Sequence, residues 1–169
     1  LPYSNTFSSW SKTRANVVES ASVCAPSGAR AWKLVEDATA SSEHFVYSYQ
    51  AATTLAGVLS FGLWAKAGER TEVFLRVYNG STWLQAMFNL ADGTVGSVGS
   101  TSTAHILPEG DGYLCLLASK DAVAAGPVSV YVYLASGGTM SFADTSYTGT
   151  GTEPYGEDDP GLYIADAQL

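Results

Sequence analysis

Apolar and polar side chains alternate with a period of two along most of the chain, a pattern that predicts short β-strands. Residues 117–126 favour helix, but Gly126-Pro127 ends the stretch, which we interpret as a strand end and a loop. Turn clusters such as Pro26-Ser27-Gly28 separate the alternating runs. Strands are predicted at about 15–23, 31–36, 44–50, 56–66, 72–78, 82–90, 102–107, 112–119, 127–135 and 161–168. This spacing predicts an all-β fold, an antiparallel β-sandwich of two sheets in one domain, 1–169.

The stretch from Val73 to Leu90 predicts a β-hairpin, because Asn79-Gly80 favours a two-residue turn. That turn sets a register that pairs Leu75 with Leu84 and Arg76 with Trp83. The inward face is apolar, and the outward face carries aromatic, cationic and amide groups. The inward residues are Val73, Leu75, Val77, Leu84, Ala86, Phe88 and Leu90. The outward residues are Phe74, Arg76, Tyr78, Trp83, Gln85, Met87 and Asn89.

The same parity argument assigns faces to three further strands. In 56–66 we expect Leu59, Phe61, Leu63 and Ala65 to face the core, with Trp64 and Lys66 outward. In 127–135 the expected core residues are Val128, Val130, Val132 and Leu134, and Ser129, Tyr131 and Tyr133 face outward. In 112–119 we expect Tyr113 and Cys115 outward and Leu114 and Leu116 inside. Trp64 joins the hairpin's outer surface only if its strand shares the hairpin's sheet, and parity leaves that choice open.

Composition and charge exclude several classes of function. The chain has 16 acidic and 8 basic residues, a net charge of -8, which argues against nucleic acid as a partner. No apolar run approaches the roughly 20 residues that a membrane span needs, so we expect no membrane insertion.

Cys24 and Cys115 are the only cysteines, and we predict two reduced thiols rather than a disulfide.

Several segments, taken in order, resemble a known group of domains. They are Leu1–Phe7 with Trp10, Pro26-Ser27-Gly28 with Ala31–Asp37, Ala65–Arg70, Phe88–Gly96, Gly110–Tyr113 and Gly161–Leu169. Together they resemble the carbohydrate-binding-module-like jelly-roll domains of bacteriophage tail and capsid-decorating proteins, distant relatives of the family 4, 9 and 22 carbohydrate-binding modules. The resemblance spans nearly the full chain and implies a jelly roll, a face or loop edge that binds glycans and a structural calcium ion. Binding is expected to require no cofactor, and calcium would serve the structure only.

The resemblance and the outward chemistry predict a non-catalytic, lectin-like module that binds carbohydrate or polysaccharide on a virion, a tail fibre or another extracellular modular protein. Aromatic rings stack on the C–H faces of sugars, and Arg, Gln and Tyr side chains pair with hydroxyls. The predicted ligand-binding residues are Trp64, Arg76, Tyr78, Trp83, Gln85, Tyr131 and Tyr133.

Three alternatives stay open at this point. The aromatic face would also suit a structural or oligomerisation module of a virion protein, as a homo-oligomer or as part of a larger chain. A polysaccharide lyase or hydrolase is disfavoured, because the acidic residues cluster in predicted loops and no local catalytic motif occurs. The resemblance assigns calcium to the first and last strands, where Asp166 is the matching acidic residue. The modules carry a second acidic residue where this chain has Ser8. The alternative for Asp166 is an acidic residue that binds no metal.

Overall fold

The fold is a β-sandwich of two six-stranded antiparallel sheets, seen in a computed structural model that describes residues 6–50 and 56–169. A 3₁₀ turn (Phe7–Ser9) precedes the strands, and a one-turn helix, α1 (Phe142–Thr145), follows β12. The strands are β1 Ser11–Thr13, β2 Ala15–Cys24, β3 Arg30–Glu36, β4 Ser42–Glu43, β5 Phe45–Gln50, β6 Ser60–Lys66, β7 Glu72–Tyr78, β8 Trp83–Asn89, β9 Thr94–Val98, β10 Ser102–Glu109, β11 Gly112–Ser119, β12 Val128–Ala135, β13 Ser146–Tyr147 and β14 Gly161–Gln168. The predicted antiparallel sandwich is confirmed.

The chain passes repeatedly from one sheet to the other. The front sheet has the order β1-β5-β12-β7-β8-β9, and the back sheet has the order β10-β11-β6-β14-β3-β2. Their inner faces share one apolar core, to which Leu75 and Val130 contribute from the front and Leu63 and Ile164 from the back. No helix among the described residues is long and apolar enough to cross a membrane.

The inward faces of the hairpin and of β12 are those that the alternation predicts. The core positions from Val73 to Leu90 are each at most 4 % exposed, and the four core positions of β12 are fully buried. The predicted register of the hairpin is wrong by two residues. Val77 pairs with Leu84, Leu75 with Ala86 and Arg76 with Gln85. Because a shift of two residues preserves parity, every side chain stays on its predicted face.

The hairpin turn explains this shift. A two-residue turn at Asn79-Gly80 needs a positive φ at both positions, but only Gly80 has one, at +92°. Asn79 instead accepts hydrogen bonds at Oδ1 from Ser81 N (3.2 Å), Ser81 Oγ (3.2 Å) and Thr82 N (2.8 Å). The side chain of Asn79 therefore lengthens the loop to the four residues from Asn79 to Thr82.

We expect Asn79→Ala to destabilise the fold by about 1 kcal/mol, because the part-buried hydrogen bonds from Ser81 and Thr82 lose their acceptor. Urea unfolding measures the effect, with Asn79→Asp as the control that keeps an acceptor oxygen. An alanine variant as stable as the wild type would show that water replaces the side chain without cost.

The predicted faces of β11 are wrong. Cys115 and Leu117 are fully buried in the core, whereas Leu114 and Leu116 lie on the outer side of the back sheet. The strand is apolar on both faces, so its alternation did not distinguish them. Pairing decides the orientation, because Cys115 lies opposite the inward Leu63.

The two cysteines are free thiols, as predicted, and their environments differ. Cys24 is exposed, whereas burial raises the pKa of the Cys115 thiol and keeps it unreactive. We expect a disulfide reagent to titrate one thiol in the native protein and two in denaturant. Rapid reaction of both thiols without denaturant would contradict the burial of Cys115.

The segment from Ser136 to Pro160 contains α1 and β13 and is fixed to the sandwich by several contacts. β13 pairs with β4. The fully buried carboxylate of Glu36 accepts hydrogen bonds from Tyr147 Oη (2.8 Å), Thr150 N (2.9 Å) and Thr150 Oγ1 (3.1 Å). The same carboxylate receives Arg70 bidentately, with both N···O distances at 2.7 Å.

Candidate functional site

The outer side of the front sheet is built from three rows of side chains that cross β5, β12, β7 and β8. Within each row the residues lie directly opposite one another on neighbouring strands. The first row is Phe45, Tyr133, Phe74 and Met87; the second is Tyr47, Tyr131, Arg76 and Gln85; the third is Tyr49, Ser129, Tyr78 and Trp83. Parity along each strand therefore gathers eight aromatic rings on one surface.

The first row is covered by the chain that follows β12. Phe74, Met87 and Tyr133 are at most 4 % exposed and form a small apolar cluster against which Met140 packs. The carboxylate of Glu72 accepts hydrogen bonds from the backbone N–H groups of Gly137 and Gly138, which holds this segment in place. Tyr133 is therefore a supporting residue of the surface, although the sequence predicted it as a ligand-binding residue.

The second and third rows remain open to solvent, and we call them the aromatic face. Trp83 is 37 % exposed and Tyr49 is 60 % exposed. Ser129, with the smallest side chain of the two rows, lies between Tyr49 and Tyr78 and makes a low point between rings. The aromatic face consists of Tyr47, Tyr49, Arg76, Tyr78, Trp83, Gln85, Ser129 and Tyr131.

The rings of the aromatic face support one another. Tyr131 stacks on Tyr47, with ring centroids 5.4 Å apart, and lies 5.6 Å from Trp83. Tyr78 stacks on Trp83 at 4.6 Å, and its hydroxyl donates to the carbonyl of Gly80 at 2.8 Å. These contacts fix the ring planes before any ligand arrives, which reduces the entropy lost on binding.

Arg76 lies in the middle of the aromatic face. Its guanidinium carbon is 4.0 Å from the centroid of the Trp83 ring, so the two form a cation–π pair although they are not directly opposite each other. Gln85, the cross-strand neighbour of Arg76, is half-buried, and its backbone N–H donates to Ser102 Oγ at 2.9 Å.

The structure brings together five of the seven predicted binding residues on the aromatic face, places Tyr133 beneath Met140 and separates Trp64 from the rest. Trp64 is in β6 of the back sheet, is 1 % exposed and donates through Nε1 to the carbonyl of Glu109 at 3.0 Å. Sequence reasoning missed Tyr47 and Tyr49. Their alternation with the inward Val46 along the predicted strand 44–50 was the signal that would have found them.

The back sheet carries a different surface, a groove of about 680 Å³. Its apolar floor includes Leu114 and Leu116, whose side chains pack close to Gly62. Asp166, the predicted calcium ligand, also lines this groove. The described residues contain no group of three or more His, Cys, Asp and Glu that could hold a metal ion. Residues 1–5, near the first strand in the predicted calcium site, lie outside the described residues, and the calcium ion stays a prediction.

A cluster of titratable groups at one end of the sandwich has its hydrogen-bond partners within the protein. Burial acts to raise the pKa of Glu36, but hydrogen bonds from Arg70, Tyr147 and Thr150 outweigh it and hold that pKa below its ordinary value. His44, fully buried, has Nδ1 2.7 Å from the Arg14 carbonyl oxygen and Nε2 3.2 Å from that of Tyr147. These groups are committed to holding the chain around Tyr147, which marks the cluster as structural.

No family model matches the chain, and no curated protein matches it. The likeness to carbohydrate-binding jelly-roll domains therefore depends on the sequence segments quoted above.

Proposed function

We propose that this protein is a non-catalytic carbohydrate-binding module and that the aromatic face is its binding surface. The observation that carries the proposal is the open pair of rows on the front sheet, where five rings surround an arginine, a glutamine and a serine. Soluble domains seldom leave so many aromatic rings on one sheet face without a partner.

The chemistry of the aromatic face suits sugars. The rings offer flat apolar surfaces for C–H groups, while Arg76 donates and Gln85 both donates and accepts hydrogen bonds to hydroxyls. The open rows cross four strands, a width of about 14 Å from the usual strand spacing. That width fits a short stretch of a saccharide chain better than a single sugar ring.

Binding without catalysis follows from the residue types present. The aromatic face contains no carboxylate and no histidine, whereas glycoside hydrolysis usually needs a pair of facing carboxylates. We propose weak binding at each single site, made effective by repeated copies on a virion surface or another extracellular array. The family resemblance supports that location.

The principal rival is a structural module whose aromatic face seals a subunit interface. The exposure of Trp83 and Tyr49 favours it as a second candidate, because aromatic residues are enriched at the centres of protein interfaces.

A glycan array probed with the purified protein, together with a mass measurement in solution, separates the two candidates. The proposal predicts that the wild-type protein binds a defined group of saccharides and that Trp83→Ala does not. It also predicts that Trp83 stays exposed in the protein without ligand. A blank array together with a stable oligomer that buries Trp83 would overturn the proposal in favour of the interface.

A further inference from the structure

Arg76 is a half-buried cation that has no counter-ion among the described residues. Among the described residues, its side chain has one hydrogen-bond partner, the Tyr133 hydroxyl, at 3.4 Å from Nη1. The Nε atom of Arg76 is buried from solvent and has no hydrogen-bond partner among the described residues. A guanidinium has five N–H donors, so most of its hydrogen-bonding capacity is unused by the protein.

Among the described residues, the other buried or half-buried cations are paired with carboxylates, whereas the exposed cations Lys12, Arg14, Arg30 and Lys120 are not. Lys33, Lys66 and Arg70 each have a carboxylate oxygen within 2.7 Å, from Glu69, Asp111 and Glu36 respectively. In the part of the chain that the structure describes, no carboxylate lies within 4.0 Å of Arg76.

Tyr133 does not neutralise Arg76 either. Burial raises the pKa of the Tyr133 hydroxyl, and the opposing effect of Arg76 is too small to reverse the rise. The hydroxyl therefore stays protonated at neutral pH, and Arg76 forms no ion pair with any carboxylate of the described residues, although Glu43 is close enough to act on Tyr133.

We infer that the saccharide bound by the aromatic face carries a carboxylate, which pairs with Arg76. This inference depends on the proposed function and adds a ligand class to it. The planar guanidinium matches a carboxylate in a two-point arrangement, and the surrounding rings lower the local dielectric and strengthen the attraction. A carboxylate also supplies the acceptors that Arg76 lacks.

The net charge of the whole chain limits the charge density of the saccharides that can bind. A protein of net charge -8 repels a closely charged polyanion at long range. A saccharide with carboxylates separated by neutral sugars can pair with Arg76 and is only weakly repelled by the net negative charge of the protein. We therefore assign acidic saccharides of low charge density and exclude heavily sulfated ones.

The test is an array of uronic-acid and sialic-acid saccharides, each printed beside its carboxyl-reduced form, which keeps the ring but loses the charge. Heparin provides the densely charged probe. The proteins are the wild type, Arg76→Gln, Arg76→Lys and Lys66→Gln. The last removes one positive charge from the back sheet and serves as the matched control. Thermal unfolding confirms that each variant is folded.

We expect the wild type and Lys66→Gln to bind an acidic saccharide about tenfold or more tightly than its reduced partner. Arg76→Gln should lose this discrimination, and Arg76→Lys should retain part of it because the charge remains but the two-point geometry is lost. Equal wild-type binding to both forms, undiminished discrimination in Arg76→Gln, or preferred binding to heparin would overturn the inference while the proposed function survives. Failure to bind any saccharide, acidic or neutral, would remove the proposed function itself.

Discussion

Replacing Glu36 with alanine should destabilise the protein by about 3–5 kcal/mol, the usual loss when one partner of a buried ion pair is removed. Glu36 is fully buried and accepts five hydrogen bonds from Arg70, Tyr147 and Thr150. The alanine variant leaves the guanidinium of Arg70 without its carboxylate and frees the segment around Thr150. Urea unfolding of the wild type and the variant measures the difference.

Glu36→Gln is the matched control, because it keeps the shape and removes the charge. The pKa of Glu36 in the folded protein is lowered, so its stabilisation is present above the unfolded value of about 4.3 and is lost as pH falls through the folded pKa. The stability advantage of the wild type over Glu36→Gln should therefore be large at neutral pH and shrink at acidic pH. A constant difference across this range would show that the charge of Glu36 contributes nothing.

Replacing Tyr131 with alanine should weaken saccharide binding by about tenfold or more, the effect of removing a central aromatic anchor. Tyr131 contacts the rings of Phe45, Tyr47, Trp83 and Tyr133, so its loss opens the middle of the aromatic face. Calorimetric titration with the saccharide that an array identifies provides the measurement.

Tyr163→Ala is the control for Tyr131→Ala. Tyr163 has the same residue type and is also half-buried, but it lies in β14 of the back sheet. This control should bind like the wild type. Equal loss of affinity in both variants would mean that the effect comes from general destabilisation of the fold.

Where one side of a strand is apolar and the other polar, the sequence predicts the strand and its faces. The alternation through Val73, Leu75 and Val77 identifies the core side of β7 without reference to any partner, because a half-buried strand must keep that period. In β11 both sides are apolar, and the orientation of Cys115 follows only from its pairing with Leu63. Patterns within one strand do not contain that information.

The aromatic face was predictable strand by strand but not as a surface. Parity turns both Trp64 and Tyr131 outward, yet β6 joins the back sheet and β12 the front sheet. The choice of sheet depends on long-range strand pairing. The predicted hairpin register was wrong for a local reason, since the side chain of Asn79 accepts hydrogen bonds from Ser81 and Thr82 within a four-residue loop.

The most direct test of the aromatic face as the binding surface is a ¹⁵N NMR titration that follows the indole N–H signals of the four tryptophans. Trp83 lies on the aromatic face, Trp64 beside the groove of the back sheet, and Trp10 is in the core. Single Trp→Phe variants assign the signals. On addition of the bound saccharide, the Trp83 signal should shift while that of Trp64 stays in place. A shift of the Trp64 signal with Trp83 unchanged would place binding on the opposite sheet and contradict the account.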